Sequence, residues 1–447
     1  MNVLIIQISR LGDIVQSIPL INDLKAKYTD GSIHMLVNDV FSEASVLLPN
    51  VEVIPLVLER FVNTVSGEYV ITENDYFLNI IESLNGKGFE LIINLNNSPI
   101  AKEIFNKIDG DKKKGFGAED KESKEWSAYI TSFLKTRQLG SINLVDIFRM
   151  FGGVEHLSLR GTCDEANQNI NSTKEQSVAL QCGARNIKRQ FTNQHYVDIA
   201  THYLSKGYKV YLLGTESESK TAIAIQHEVT SLNLINMTGK TDLKQLIEII
   251  SKCESVYTPD TGTMHLSALC NTPFVSLFYG PAYPFETLGY SLNATVYMPN
   301  KQYFPCYPCN DDDECLNSFA CHRFSFQKVF EGTLNDEFCE LSVGYDEIGQ
   351  VLNPIDDAAL LWREFTKHYF SFTVEQGVGE RQISNDTKAM ILRELKLWDM
   401  IDIDDFNTAV ENFYFLKPLV FLTKMGYSEL VNEAIRFMKE AICQKKT

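Results

Sequence analysis

A glycine and an aspartate follow the first apolar run of the chain, in Ser9-Arg10-Leu11-Gly12-Asp13. Glycine lets backbone approach a ligand closely, and a carboxylate facing a cleft can take a proton from an attacking hydroxyl. On spacing alone, Asp13 reads instead as a cap for the helix announced by Ile14, Val15, Ile18, Ile21 and Leu24. A second turn, Thr258-Pro259-Asp260-Thr261-Gly262-Thr263-Met264-His265, sits in the same strand–turn–helix setting. N–H groups at a helix start attract anions and the helix dipole adds to this, so Thr261, Gly262 and Thr263 could cradle a diphosphate. A plain cap by Asp260 or Thr261, with His265 structural, accounts for the same residues. Lys188-Arg189, after another strand, either neutralises a nucleotide phosphate or is a solvated surface pair. Glu218, in Gly214-Thr215-Glu216-Ser217-Glu218, stands where a carboxylate can accept hydrogen bonds from ribose hydroxyls. No G-x-G-x-x-G follows the first strand and no P-loop is present, which weighs against an epimerase or a dehydrogenase.

Four of the ten cysteines are clustered as C-x2-C-x5-C-x5-C: Cys306, Cys309, Cys315 and Cys321. Four thiolates so closely spaced in a reducing compartment suit a tetrahedral structural zinc or iron, with no open position for chemistry. Reduced thiols, or a disulfide clamping a loop, are the alternative. The other six, Cys163, Cys182, Cys253, Cys270, Cys339 and Cys443, are scattered and read as small buried apolar residues.

The elements that must position these groups alternate strand and helix. Val3–Ile8, Ser32–Val37, Val51–Leu56 and Leu91–Leu95 read as strands, and Pro19 as an early-turn residue or a kink of its helix. Residues 164–175 are polar and lack apolar period, which marks a linker. The pattern restarts with strands at Ser177–Gln181, Lys209–Leu213, Ser255–Tyr257 and Phe274–Phe278. Helices lie between them at His195–Lys206 (ended by Gly207) and Leu243–Cys253, with another beginning at Met264. Such alternation predicts an α/β chain of two doubly wound parallel units, residues 1–170 and 176–335. Beyond about residue 340, four helices are predicted, at 355–370, 386–400, 405–416 and 428–443, forming an all-helical extension over 340–447. Asp109-Gly110-Asp111 and Asp402-Ile403-Asp404 read as surface charge. The net charge of −17 argues against nucleic acid and against broad adhesion to an anionic membrane. No apolar run has the length of a membrane span or the form of a signal peptide, so a cytoplasmic protein is expected.

Together, the motifs resemble those of the heptosyltransferases, glycosyltransferase family 9. Ser9, Leu11, Gly12 and Asp13 match the family's Ser-x-Leu-Gly-Asp turn, and Lys188-Arg189 match the basic pair of its Lys-Arg-Trp-Pro-like stretch. Gly214 and Glu218 match Gly-x-x-x-Glu; Gly239, Lys240, Thr241 and Leu243 match Gly-Lys-Thr-x-Leu. Asp260, Thr261, Gly262, His265 and Leu266 match Asp-Thr-Gly-x-x-His-Leu, and Thr272-Pro273 and Gly280-Pro281 follow at the family's spacing. The match runs in order over about residues 1–330. The chain departs from the pattern at Ala184 and Arg185, where many relatives carry small hydroxyl residues, and lacks the aromatic–proline pair after Lys188.

The resemblance implies a GT-B fold of two Rossmann-like domains facing a cleft, and an inverting glycosyltransferase. Asp13 would be the general base, with Ser9, Arg10 and Gly12 on the acceptor side. Lys188, Asp260, Thr261, Gly262, Thr263 and His265 would hold the donor diphosphate, and Glu218 and Thr241 the rest of the donor. The donor would be ADP-heptose and the acceptor lipopolysaccharide core or a protein, with no cofactor for the chemistry. Relatives carrying a similar cysteine segment, some with iron, imply a structural zinc or iron at Cys306, Cys309, Cys315 and Cys321. The helical extension would serve acceptor binding or homo-oligomerisation. A non-catalytic sugar-nucleotide-binding protein, or the same fold with another nucleotide sugar, are the alternatives.

Overall fold

The computed structural model describes residues 1–65, 68–136, 143–153, 173–291, 293–300, 303–309, 314–315 and 317–343. The four helices expected between 355 and 443 and most of the expected linker lie outside the described residues.

The first unit carries strands β1 (Asn2–Ile6), β2 (Ser32–Asn38), β3 (Glu52–Leu56), β4 (Val62–Val65), β5 (Glu68–Ile71), β6 (Phe89–Asn94) and β7 (Gly110–Gly115). Its helices are α1 (Leu11–Gln16), α2 (Ile18–Lys27), α3 (Asp75–Asn85), α4 (Pro99–Lys107), α5 (Lys121–Thr136) and α6 (Leu144–Phe151). Five strands form a parallel sheet in the order β3-β2-β1-β6-β7, and β4-β5 is a separate antiparallel hairpin. Val3, Leu4, Ile5 and Ile6 are wholly buried, as an apolar run in a parallel sheet covered on both faces must be. Leu4, Ile6 and Ile92 pack with Phe61, Phe77 and Phe105 in one core. Pro19 is the second residue of α2, where its missing N–H costs no helical hydrogen bond. Arg149 of α6, itself buried, grips Asp23 of α2 through Nε at 2.6 Å and Nη2 at 3.1 Å.

The reading of Asp109-Gly110-Asp111 as surface charge holds, but the segment also opens a strand, β7, that the sequence did not announce. Both aspartates are exposed, yet Gly110 and Asp111 open a strand whose register on β6 runs from Phe89–Gly110 to Asn94–Gly115. Its Asp-Lys-Lys-Lys sequence hides it: an edge strand needs few apolar residues, and its charges discourage pairing with other chains.

The second unit holds β8 (Glu175–Gln181), α7 (Asn193–Ser205), β9 (Lys209–Leu213), α8 (Ser219–Glu228), β10 (Leu234–Asn236), α9 (Leu243–Lys252) and β11 (Cys253–Pro259). It continues through α10 (Gly262–Leu269), β12 (Phe274–Leu277), α11 (Pro284–Thr287), β13 (Ala294–Pro299), α12 (Phe326–Phe330) and β14 (Phe338–Val343). The sheet order is β10-β9-β8-β11-β12-β13-β14, all parallel pairs except antiparallel β13–β14. Strands β10, β13 and β14 were not expected from the sequence, and β11 is longer than the predicted Ser255–Tyr257. Among the described residues, no helix is long and apolar enough to cross a membrane.

One buried histidine locks the second unit. Thr192 caps α7, and its N–H donates to His195 Nδ1 at 3.0 Å. The ring proton is therefore on Nε2, which donates to the Phe324 carbonyl at 2.8 Å. His195 is 1% exposed, and burial drives its pKa down to about 4. A second ring proton would set N–H against the Thr192 N–H. With the folded pKa below the ordinary value of about 6.5, the unfolded chain takes up the proton first as pH falls. The stabilisation is complete above about pH 6.5 and is lost between about 6.5 and 4. The unfolding free energy is expected to drop across that window, and in His195→Gln to drop by up to about 3 kcal/mol less. Urea unfolding at stepped pH tests this, and parallel profiles for the two proteins would exclude it.

Candidate functional site

In a doubly wound sheet, ligands bind at the carboxyl ends of the strands where the strand order reverses. In the first unit that point lies between β1 and β6, in the second between β8 and β11. The expected site residues fall after these strands.

After β1, the turn is held by amides. Asn96 Oδ1 accepts from the Ile8 N–H at 2.6 Å, and its Nδ2 donates to Ser9 Oγ at 2.6 Å and to Gln7 Oε1. The Asn96 N–H in turn donates to Asn94 Oδ1 at 3.0 Å, and Asn94 Nδ2 to the Phe116 carbonyl at 2.7 Å. Gln7, Asn94 and Asn96 are all buried. Sequence reasoning missed these three. The available signal was Asn94-Leu95-Asn96-Asn97, amides placed where an apolar strand ends.

Helix α1 starts at Leu11, earlier than expected, with Gly12 buried in its first turn. Asp13 does not stand before the helix. It is its third residue, and its Oδ2 accepts from the Arg10 N–H at 3.2 Å and from Arg10 Nε at 3.1 Å. The Asp13 side chain is 13% exposed and that of Arg10 60%. Asp13 thus closes a capping box from inside the first turn instead of capping a helix that starts at Ile14, and it keeps an edge open to solvent.

After β8, Asn186 Oδ1 accepts from the Lys188 N–H at 2.9 Å and shapes a short turn, Ile187–Arg189. The surface-pair reading of Lys188-Arg189 fails. Lys188 is 8% exposed, and Arg189 Nη1 donates to Asp260 Oδ2 at 2.8 Å. The Asp260 side chain is 6% exposed. The pair clamps the loop after β8 to the turn after β11. A second tie runs from Thr263 Oγ1 to Gln181 Oε1 at 2.6 Å.

The capping reading of the second turn is also corrected. Helix α10 begins at Gly262, and its N-cap residue Thr261 makes no side-chain cap. The Thr261 hydroxyl pairs with Thr258 Oγ1 at 3.0 Å, and Asp260 is spent on Arg189. By contrast, Thr192, Asp242, Asn74 and Ser98 cap their helices. The hydroxyls around α10 are drawn aside, so its first N–H groups can meet an anion. His265 is buried within α10 at 5% exposure.

Glu218 lies on the neighbouring strand ends. Its Oε2 accepts from the Thr215 N–H at 2.6 Å and from Thr215 Oγ1 at 2.5 Å. Its stem lies on Gly183, where a Cβ would come within 2.6 Å of Glu218 Cγ. The loop after β10 joins it through the Gly239 N–H, which donates to the Gly214 carbonyl at 2.9 Å. Thr241 follows, half-buried, before the cap Asp242. The chain therefore gathers Lys188, Asp260, Thr261, Gly262, Thr263 and His265 after β8 and β11, with Glu218 and Thr241 after β9 and β10.

The four clustered cysteines are free thiols, Cys306 exposed and the others part-buried. Burial, then the nearby Cys306, Cys309 and Cys315, pushes the Cys321 thiol up to about 12. The donor chemistry fits a soft tetrahedral ion. Among the described residues, however, no three ligand side chains come close enough to hold one. Of the scattered cysteines, Cys182, Cys253 and Cys270 are buried as expected.

The model of Glycosyltransferase family 9 (heptosyltransferase) matches residues 77–317. Lipooligosaccharide heptosyltransferase 2 of Haemophilus influenzae is 32% identical over 111 residues, covering 24% of this chain and 32% of that protein. The chain thus aligns with about a third of that relative's length. Lipopolysaccharide core heptosyltransferase OpsX of the same organism is 22% identical over 300 residues, covering 64% of this chain and 81% of that one. The solved Escherichia coli heptosyltransferase WaaC with ADP has 16% identity and a TM-score of 0.51, over 67% of this chain and 93% of that chain. This likeness shows the fold, GT-B, built of two Rossmann-like α/β domains.

The clamp carries a direct consequence. Arg189→Ala would strand a buried carboxylate, and a buried pair broken on one side costs about 3–5 kcal/mol. A loss of about 3 kcal/mol is expected in urea unfolding; a loss under about 0.5 kcal/mol would show that the pair holds nothing together.

Proposed function

This chain belongs to glycosyltransferase family 9, and from that premise we propose that it transfers a heptose from ADP-heptose, with inversion, to a hydroxyl of an acceptor. The observation that carries the donor half is the uncapped start of α10, whose turn the Arg189–Asp260 pair ties to the turn carrying buried Lys188, at the strand-order reversal of the second unit. Two N–H groups, a helix dipole and an ammonium suit a leaving diphosphate and replace a metal there. The relative solved with ADP supports the adenine nucleotide.

In the proposed reaction, Asp13 takes the proton of the acceptor hydroxyl. The oxygen attacks the anomeric carbon as the bond from that carbon to the diphosphate oxygen breaks, and ADP leaves with the electron pair. Lys188 and the first N–H groups of α10 stabilise the charge that develops on it. Glu218 and Thr241 hold the ribose side of the donor. The Arg10 bonds fall on Oδ2 of Asp13, and Oδ1 takes the proton. The acceptor is lipopolysaccharide core, by the relatives' names, or a protein, which the net charge of −17 favours because an anionic membrane surface repels it.

Titration calorimetry with ADP, ADP-heptose and UDP-sugars tests the donor. Lys188→Ala is expected to weaken ADP about tenfold or more, and Asp13→Asn to leave ADP affinity within about twofold while lowering kcat by about 100-fold or more. Preference for a UDP-sugar would overturn the heptose assignment. Binding of ADP-heptose without ADP release on any acceptor would favour a non-catalytic binding protein.

The four thiols are proposed to hold a structural zinc or iron, drawn in by the ion itself. A cation would favour the thiolate forms of Cys309 and Cys321, which burial now disfavours. About one ion per chain is expected by elemental analysis, lost in Cys309→Ser/Cys321→Ser. A metal-free wild-type protein would rule the site out.

A further inference from the structure

The Lys188 turn meets two residues to which the motifs gave no role. The first is Gly280, in the left-handed region at φ +57. A Cβ on Gly280 would come within 2.7 Å of Lys188 Cβ and 2.9 Å of the Lys188 carbonyl oxygen. Any side chain there would push the lysine turn away. The second is His322, whose Nε2 lies 3.2 Å from that same carbonyl. The carbonyl can only accept, so Nε2 carries the proton and donates.

His322 is itself held in place. Its ring stacks on that of Tyr279, with centroids 4.7 Å apart and planes at 22°. Phe319 meets it edge-on at 5.2 Å. Tyr279 is fully buried and its hydroxyl has no hydrogen-bond partner, so the ring is fixed by packing alone. The thiol segment completes the frame. The Cys309 N–H donates to the Gly280 carbonyl at 3.1 Å, and Gly280 also contacts the Cys321 thiol through its backbone. The Lys188 ammonium lies close enough to Cys309 to pull back a thiol that burial pushes up.

We infer that His322 is a positioning residue for the donor site: together with Gly280 it sets the backbone of Lys188, and through Lys188 the grip on a nucleoside diphosphate. The thiol segment is thus tied to the lysine turn through Cys309, Cys321 and His322. This inference rests on the donor reading of Lys188 given above, and the experiment separates the two.

ADP itself is the probe, measured by calorimetry on the full chain, with metal content checked to be equal across variants. His322→Phe keeps the ring on Tyr279 and removes the N–H donor. His322→Gln restores a donor at nearly the same reach. His322→Phe is expected to raise the ADP Kd about three- to tenfold, within the range of one lost hydrogen bond, and His322→Gln to recover to within about twofold of wild type. The KM for the nucleotide sugar should rise in His322→Phe while that for the acceptor stays unchanged. Combined with Lys188→Ala, His322→Phe should add no further loss, because it acts through that side chain. Wild-type affinity in His322→Phe, or a loss that adds fully to that of Lys188→Ala, overturns the inference and leaves the donor reading standing. A Lys188→Ala protein that binds ADP normally overturns the donor reading, and the inference with it. If His322→Phe does not fold, Gly280→Ala presses on the same turn. It is expected to weaken ADP by a similar factor, and unchanged affinity there also overturns the inference.

Discussion

At 2.8 Å, the contact between Arg189 and Asp260 joins two loops that are 71 residues apart in the chain. Everything proposed for the donor depends on it. Asp260 is buried, so its charge is tolerated only with a partner. Its Oδ2 is turned to Arg189, and it makes no cap to α10. Because it does not cap α10, the helix start is left with N–H groups for an anion. The same contact sets the turn that carries Lys188. One ion pair thereby ties together the turn that carries Lys188 and the turn that opens α10, the two elements proposed to hold the donor.

The first unit solves a similar problem with neutral groups. A parallel sheet brings the ends of β1 and β6 side by side, and the loops leaving them need their backbone groups satisfied. Asn96 does this for Ile8 and Ser9 at once, and Asn94 anchors Asn96. The turn before Asp13 is therefore rigid for reasons that lie 80 or more residues away in the chain. Asp13 serves the helix and remains at the surface. A group that only closes a capping box and a group that also accepts a proton have the same resting geometry, which is why the cap and the base are compatible descriptions.

The thiol segment is the most distinctive part of the second unit. It follows β13 and reaches Gly280 and the Lys188 carbonyl by backbone and imidazole contacts. Whatever the thiols bind, their loop is mechanically continuous with the lysine turn. His195 is bonded to the Phe324 carbonyl just beyond it, so both ends of the segment's final turn are tied to elements around β8.

The sequence by itself determined the fold class, because buried apolar strands such as Val3–Ile6 alternate with amphipathic helices and only a parallel doubly wound sheet satisfies that period. It also determined which turns carry polar groups, since Ser9–Asp13, Lys188, Glu218 and Asp260–His265 all follow strands that are legible as apolar runs. It did not determine strand β7, whose charged edge sequence carries no apolar period, nor whether Lys188-Arg189 was surface or site. Local pattern cannot distinguish a solvated pair from a buried clamp, because the difference lies in a partner 71 residues away. The roles of Asn96, Gly280 and His322 were likewise decided only by the tertiary structure. Each acts through long-range hydrogen bonds or close approaches, and no spacing along the chain encodes those.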